Sequence, residues 1–290
     1  MNPYLEFVQH IEANVQSAKG LTVSGSTGPK QSDQKVLLFS PHPDDECITG
    51  LLPLRLMREA GMQIINGPVT FGSNIERRPA RAKELADACA YLGWEVFQPL
   101  ERKKGAGSAC FQPLEKSDAV ELLKTIRPRI VFTPHSRDWN SRHVATHHLV
   151  MDALAEMSTD FCCTVIETEY WGAMDDPNLM VEGDAMLVAD LVAATSLHVG
   201  EVARNPYHLL LPAWMQDNVR RGGELVGGQG QAAPDFSFAT LYRVSEWENG
   251  KLVQWLENGT MVPMGMDLKE LFNREEHRER KRRIAHESLE

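Results

Sequence analysis

The chain has 290 residues, 42% hydrophobic and 24% charged, with a formal net charge of −10. This is enough for one large domain or two small ones, with the balance of an ordinary globular protein. The acidic surplus argues against a nucleic-acid partner, and no apolar run reaches the length of a membrane span. Residues 3–18 predict a helix with Leu5, Val8, Ile11 and Val15 on one face. Residues 1–7 lack a basic region and an apolar core, so no secretory signal is expected. Residues 20–34, rich in Gly, Ser and Thr, read as a linker. The five cysteines lack a paired spacing, and adjacent Cys162 and Cys163 would point to opposite faces of a strand. Reduced, buried thiols in a cytoplasmic setting are the expectation.

From residue 35 the pattern alternates. A strand at 35–40 precedes a helix to about residue 60, an apolar strand around 62–71, and a helix near 77–92 with Leu85, Ala88, Cys89 and Leu92 inward. Residues 102–112 form a basic, glycine-containing loop, for which plain connection is the default. Helix 117–126, strand 129–133 and helix 142–157 continue a βα alternation, which implies a parallel sheet with helices on its faces. After residue 160 come a strand at 164–171, a helix near 184–204 and the stretch 206–221. Gly222, Gly223, Gly227, Gly228 and Gly230 read as a mobile or linking stretch. Strands at 238–247 and 251–255 flank Glu248-Asn249-Gly250, a hairpin signal. In the charged tail from residue 273, Glu276/Arg280 and Glu279/Arg283 have helical i,i+4 spacing. A solvated terminal helix is its default; a contact in a homo-oligomer is the other use open to it.

Two clusters carry chemistry. Val36-Leu37-Leu38-Phe39 runs into Ser40-Pro41-His42-Pro43-Asp44-Asp45-Glu46. A turn needs none of this imidazole and three carboxylates, and carboxylates so placed repel unless a positive group sits among them. A divalent metal answers that need, since His with Asp or Glu is a usual zinc ligand set. The second cluster follows Ile130-Val131-Phe132-Thr133 and holds four of the ten histidines: His135, His143, His147 and His148. A lone histidine is ordinarily a hydrogen-bonded or surface side chain. Two clusters at strand ends are different, because open α/β sheets build sites where strands deliver their carboxyl ends. The residues alone leave open which of Asp44 and Asp45 is ligand and which is base.

Pro41-His42-Pro43-Asp44-Asp45-Glu46 resembles the signature of the LmbE/PIG-L family of zinc-dependent N-acetylglucosamine-type deacetylases. Asn140-Ser141-Arg142-His143 resembles that family's second motif, usually His-Pro-Asp-His. Arg81-Ala82-Lys83-Glu84, Glu169-Tyr170-Trp171, Leu197-His198-Val199-Gly200-Glu201 and the stretch from Arg221 to Phe236 resemble weaker blocks, so the likeness spans roughly residues 35–245. The resemblance implies that His42, Asp45 and His143 hold Zn2+, with Asp44 as general base. Ferrous iron also suits such ligands. Three protein ligands leave a position for water, and a neighbouring carboxylate can move its proton. The sequence departs from the family where Asn140 and Arg142 replace the usual His and Asp. Either the oxyanion device is recast around Asn140 and Arg142, or His135 or His147 serves instead, or activity is reduced. Arg78 and Arg81, one turn apart, are candidate sugar or phosphate contacts; each is equally an ordinary surface arginine. Trp139 and Trp171 are candidate stacking faces for a sugar ring, or core residues.

The expected fold is α/β: a Rossmann-like, mostly parallel sheet with helices on both faces and a smaller C-terminal β-containing extension. Residues 1–34 would be a helix and linker, 35–245 the catalytic region, and 246–290 a strand and charged tail. The expected activity is removal of an N-acyl group, most simply acetyl, from a small amino-sugar-like substrate. Hydrolysis of a non-sugar amide or ester is the alternative. A metal-binding scaffold with a degenerate motif is the alternative of another class.

Overall fold

The computed structural model describes residues 4–23, 33–97, 111–256 and 258–273. Five parallel strands form its first half: β1 (Lys35–Ser40), β2 (Gln63–Pro68), β3 (Glu95–Val96), β4 (Ile130–Pro134) and β5 (Cys163–Thr168). Their order is β3-β2-β1-β4-β5. The chain thus builds outward from β1 on one side and returns to its other side at β4. The carboxyl ends of β1 and β4 flank the point where the winding reverses, the place where open α/β sheets leave a crevice.

All residues of β1 after Lys35 are buried, which is why the strand reads as an unbroken apolar run. Val36 and Leu38 share a core with α2 (Asp45–Ile48), α3 (Leu51–Ala60) and α4 (Arg78–Leu92). Leu37 and Phe39 share another with α5 (Lys116–Ile126) and α6 (Ser141–Ala155). Helices therefore cover both faces, as the alternation implies. In α4 the inward residues include Leu85, Ala88, Cys89 and Leu92.

The second half makes the sheet mixed. β6 (Leu179–Gly183), β7 (Phe238–Glu248), β8 (Lys251–Gln254) and β9 (Thr260–Val262) extend it, with β7 antiparallel to β5, β6 and β8. The hairpin signal at Glu248-Asn249-Gly250 joins β7 to β8, with Asn249 and Gly250 at φ 53° and 75°. A boundary at residue 245 falls inside β7. Arg55, fully buried on α3, ties this half to the first: Nη1 donates to the carbonyls of Glu182 and Val262, and Nη2 to that of Pro263.

Several expectations are corrected. The helix at 184–204 is two helices, α7 (Ala185–Ser196) and α8 (Val199–Arg204), because His198 leaves the helical region at ψ 62° and buries its ring against Glu46. β6 has only five residues and carries no period long enough to read. Gly222 and Gly223 are no linker. They lie buried within α9 (Leu211–Leu225), where a Cβ on Gly222 would come 2.4 Å from Met180 Sδ. The α1 helix (Leu5–Ala18) forms, yet none of its residues is buried. The basic stretch 102–110 and the tail beyond 273 lie outside the described residues. Among the described residues, Cys47 and Cys89 are free, buried thiols, and no helix is long and apolar enough to cross a membrane.

Candidate active site

Beyond β1 the backbone is bent sharply. Asp44 adopts φ 119°, ψ −33°, a conformation that residues with a Cβ rarely take. Its N–H donates to Glu46 Oε2 at 2.9 Å. Asp45 opens α2, and its Oδ2 accepts the backbone N–H of His42 at 2.8 Å, with His42 Nδ1 3.2 Å from the same oxygen. The spacing His-x-x-Asp thus folds back on itself and places imidazole and carboxylate together.

The β4 side supplies the third group through a helix start. Asn140 is the N-cap of α6: its Oδ1 accepts from Arg142 N at 2.9 Å. Asp138 Oδ1 accepts from Asn140 N at 2.8 Å, and Asp138 Oδ2 lies 3.2 Å from His143 Nδ1. A carboxylate on Nδ1 fixes the ring and leaves Nε2 bare, the arrangement that commonly orients a metal-ligating histidine. His143 is fully buried, and its Nε2 has no hydrogen-bond partner among the described residues. It sits 3.4 Å from Asp45 Oδ2. One donor atom each from His42, Asp45 and His143 lie within 4.8 Å of one another.

The charges are strained in a telling way. Burial first, then the charge of Asp45, pushes the Asp44 carboxyl up to about 8. Burial also acts to raise Asp45, but His143 and His42 outweigh it and hold that carboxyl well below its usual range. Burial acts to lower His143, while Asp45 and Asp138 together push it up to about 10. The carboxylates of Asp45 and Asp138 thus favour a positive charge at His143.

His42, Asp44 and Asp45 line a cavity of about 470 Å³ that also includes Asn140, Arg81 and Trp171 in its lining, with His143 buried behind Asp45. Arg81 Nη2 donates to the Pro43 carbonyl at 3.1 Å, and its Nε lies 3.6 Å from Glu201. Trp139 is 72% exposed, with its ring 6.5 Å from that of Trp171. The structure separates the remaining candidates from this cavity. Arg78 is buried and donates to the carbonyls of Gly72 and Phe111. Arg142 is exposed on the first turn of α6, outside the cavity lining. His135 and His147 line a different cavity of about 610 Å³; His147 Nδ1 is 2.9 Å from the Pro134 carbonyl and 3.5 Å from Glu167. Sequence reasoning missed Tyr207, whose hydroxyl donates to Asp44 Oδ2, and the pairing of Glu46 with His198. Neither contact has a local spacing: 163 and 152 positions separate the partners.

Residues 37–154 match the family described as PIG-L: GlcNAc-PI de-N-acetylase. This region is a PIG-L family domain. It contains His42, Asp44, Asp45, Asn140 and His143, and ends before Trp171, Glu201 and Tyr207. Curated protein sequences gave no significant match. Among solved structures, N,N'-diacetylchitobiose deacetylase from Pyrococcus horikoshii aligns with TM-score 0.52 and 17% identity over 75% of this chain and 84% of its own. GalB, the 4-carboxy-2-hydroxymuconate hydratase from Pseudomonas putida KT2440, aligns with TM-score 0.51 and 16% identity over 73% and 95%. The A40926 pseudoaglycone deacetylase Dbv21 aligns with TM-score 0.51 and 14% identity over 75% and 99%. At these identities the likeness establishes the fold the PIG-L domain shares with them. One of the three is a hydratase, so the reaction must be argued from the site.

Proposed function

We propose that this protein is a metal-dependent N-deacetylase acting on an amino sugar or its conjugate. The observation that carries the reading is the cluster of His42, Asp45 and His143 donor atoms beside Asp44, with His42, Asp44 and Asp45 lining a cavity. The group fits a divalent ion on its own chemistry. His143 Nε2 is buried and has no hydrogen-bond partner among the described residues, Asp138 holds the opposite ring nitrogen, and a cation would relieve the repulsion between neighbouring carboxylates. Two imidazoles and one carboxylate are a ligand set for catalytic Zn2+, and Fe2+ suits them as well. Such an ion, when bound, acidifies water and polarises an amide carbonyl.

The chain's own residues divide the remaining work. Asp44, next to the ligands but outside their set, takes a proton from the attacking water and returns it to the departing amine. Asn140 lies in the cavity wall with its Oδ1 committed to Arg142 N, so its amide nitrogen is the side-chain donor available to the developing oxyanion. Arg81 and the face of Trp171 offer a polar and an apolar surface to a sugar ring.

The decisive experiment treats the full chain with chelator, reloads it with Zn2+ or Fe2+, and measures primary amine released from N-acetylglucosamine, N,N'-diacetylchitobiose and N-acetylglucosaminides. Amine release that chelator abolishes and metal restores is expected. Turnover confined to O-acetyl esters would point to an esterase. Stoichiometric metal with no turnover would point to a binding protein.

The altered second motif gives a separate expectation. Arg142→Ala should leave kcat within about twofold, since its side chain is outside the cavity lining. Asn140→Ala should lower stability by about 1 kcal/mol through the lost cap, and kcat by roughly 10²-fold if it is the oxyanion donor. Thermal melting and steady-state kinetics on the two variants separate these effects. A large kcat loss in Arg142→Ala would reverse the assignment.

A further inference from the structure

Asp44 holds a backbone conformation that is strained for a residue with a side chain, and such a state persists only where its surroundings over-determine it. One short segment, residues 198–207, supplies contacts on two sides of this residue. On the backbone side, Asp44 N donates to Glu46 Oε2 at 2.9 Å, and Glu46 Oε1 lies 2.8 Å from His198 Nε2; the Glu46 and His198 side chains are 0% exposed. On the side-chain side, the Tyr207 hydroxyl donates to Asp44 Oδ2. Asp44 Oδ1 receives no hydrogen bond from the described residues, which leaves one carboxylate oxygen for proton transfer. The segment is itself fixed to α4, through Gly200 N donating to Glu84 Oε1 at 3.1 Å and through Glu201 with Arg81. Its residues Gly200, Glu201 and Arg204 line the catalytic cavity.

We infer that Tyr207 is a positioning residue for the Asp44 carboxylate, and that the 198–207 segment, by anchoring both Tyr207 and His198, sets the orientation of the catalytic base. The inference rests on the reading of Asp44 as that base. Packing alone does not explain a tyrosine here. The Tyr207 ring stands edge-on to Trp171 at 5.9 Å, a contact phenylalanine would make equally well. The hydroxyl is spent on Asp44.

The test uses the Zn2+-loaded full chain and amine release from N,N'-diacetylchitobiose and N-acetylglucosaminides, with Tyr207→Phe, Asp44→Asn and the double variant. Tyr207→Phe should keep wild-type metal content, melting temperature and KM within about twofold. Its kcat should fall on the order of 10-fold to 10²-fold, the loss expected of a misaligned reacting group. The double variant should be no slower than Asp44→Asn alone, because a residue acting through another adds nothing once that one is gone. Wild-type kcat in Tyr207→Phe, or losses that multiply in the double variant, would overturn the inference while leaving Asp44 as base. Full activity in Asp44→Asn, or no amine release by the wild type from any probe, would instead overturn the base assignment or the proposed function, and this inference with it.

Discussion

Asp44→Asn should retain its metal and lose turnover by about 10²–10⁴-fold, the contribution of a general base. The substitution preserves shape and can still accept the Tyr207 hydrogen bond, but an amide cannot take a proton from water. Asp45→Asn is the necessary partner. Asp45 Oδ2 is the oxygen toward which His42 and His143 converge, at 3.2 and 3.4 Å, so this variant should lose metal affinity before anything else. Elemental analysis alongside kcat separates the two roles. If both variants keep metal and turn over at similar rates, the division between base and ligand is wrong.

His143→Ala should abolish stoichiometric metal binding and, with it, essentially all turnover. The variant removes the one ligand whose far nitrogen is held by a buried carboxylate, Asp138, and leaves that carboxylate without its partner. Unchanged metal content in His143→Ala would sink the site. The wild-type protein offers a companion measurement. With His143 raised to about 10, its ring carries a proton throughout the neutral range, and an ion binding at Nε2 must displace it. Metal affinity should therefore rise with pH by roughly tenfold per unit below that value, with one proton released per ion bound at His143. Calorimetry in buffers of different ionisation enthalpy reports this count. Affinity independent of pH between 6 and 8 would show that His143 carries no proton there for the ion to displace.

The sequence made the β1 and β4 clusters visible because each is local. A short apolar run ends, and the functional residues follow within a few positions, in the place where a parallel sheet has to deliver them. Resemblance then divided roles that composition leaves open, such as Asp44 against Asp45. What stayed hidden is non-local. Tyr207 meets Asp44 and His198 meets Glu46 through contacts that no period encodes. The break between α7 and α8 has no proline or glycine at His198 to announce it; burial of the His198 ring on Glu46 makes it. Arg142 looked catalytic because it stands in a motif position, yet helix geometry turns the first-turn residue after the Asn140 cap outward. Gly222 read as part of a mobile or linking stretch because a glycine cluster looks the same whether it frees the chain or admits Met180.

The positive φ of Asp44 also bears on how such a protein responds to selection. Glycine takes that conformation without steric cost, so replacing the aspartate there relieves strain and removes a buried, destabilised carboxyl at once. A search for thermal robustness alone would erode position 44 early and yield a sturdier, silent protein; only selection that rewards turnover keeps an acid in the place least comfortable for one.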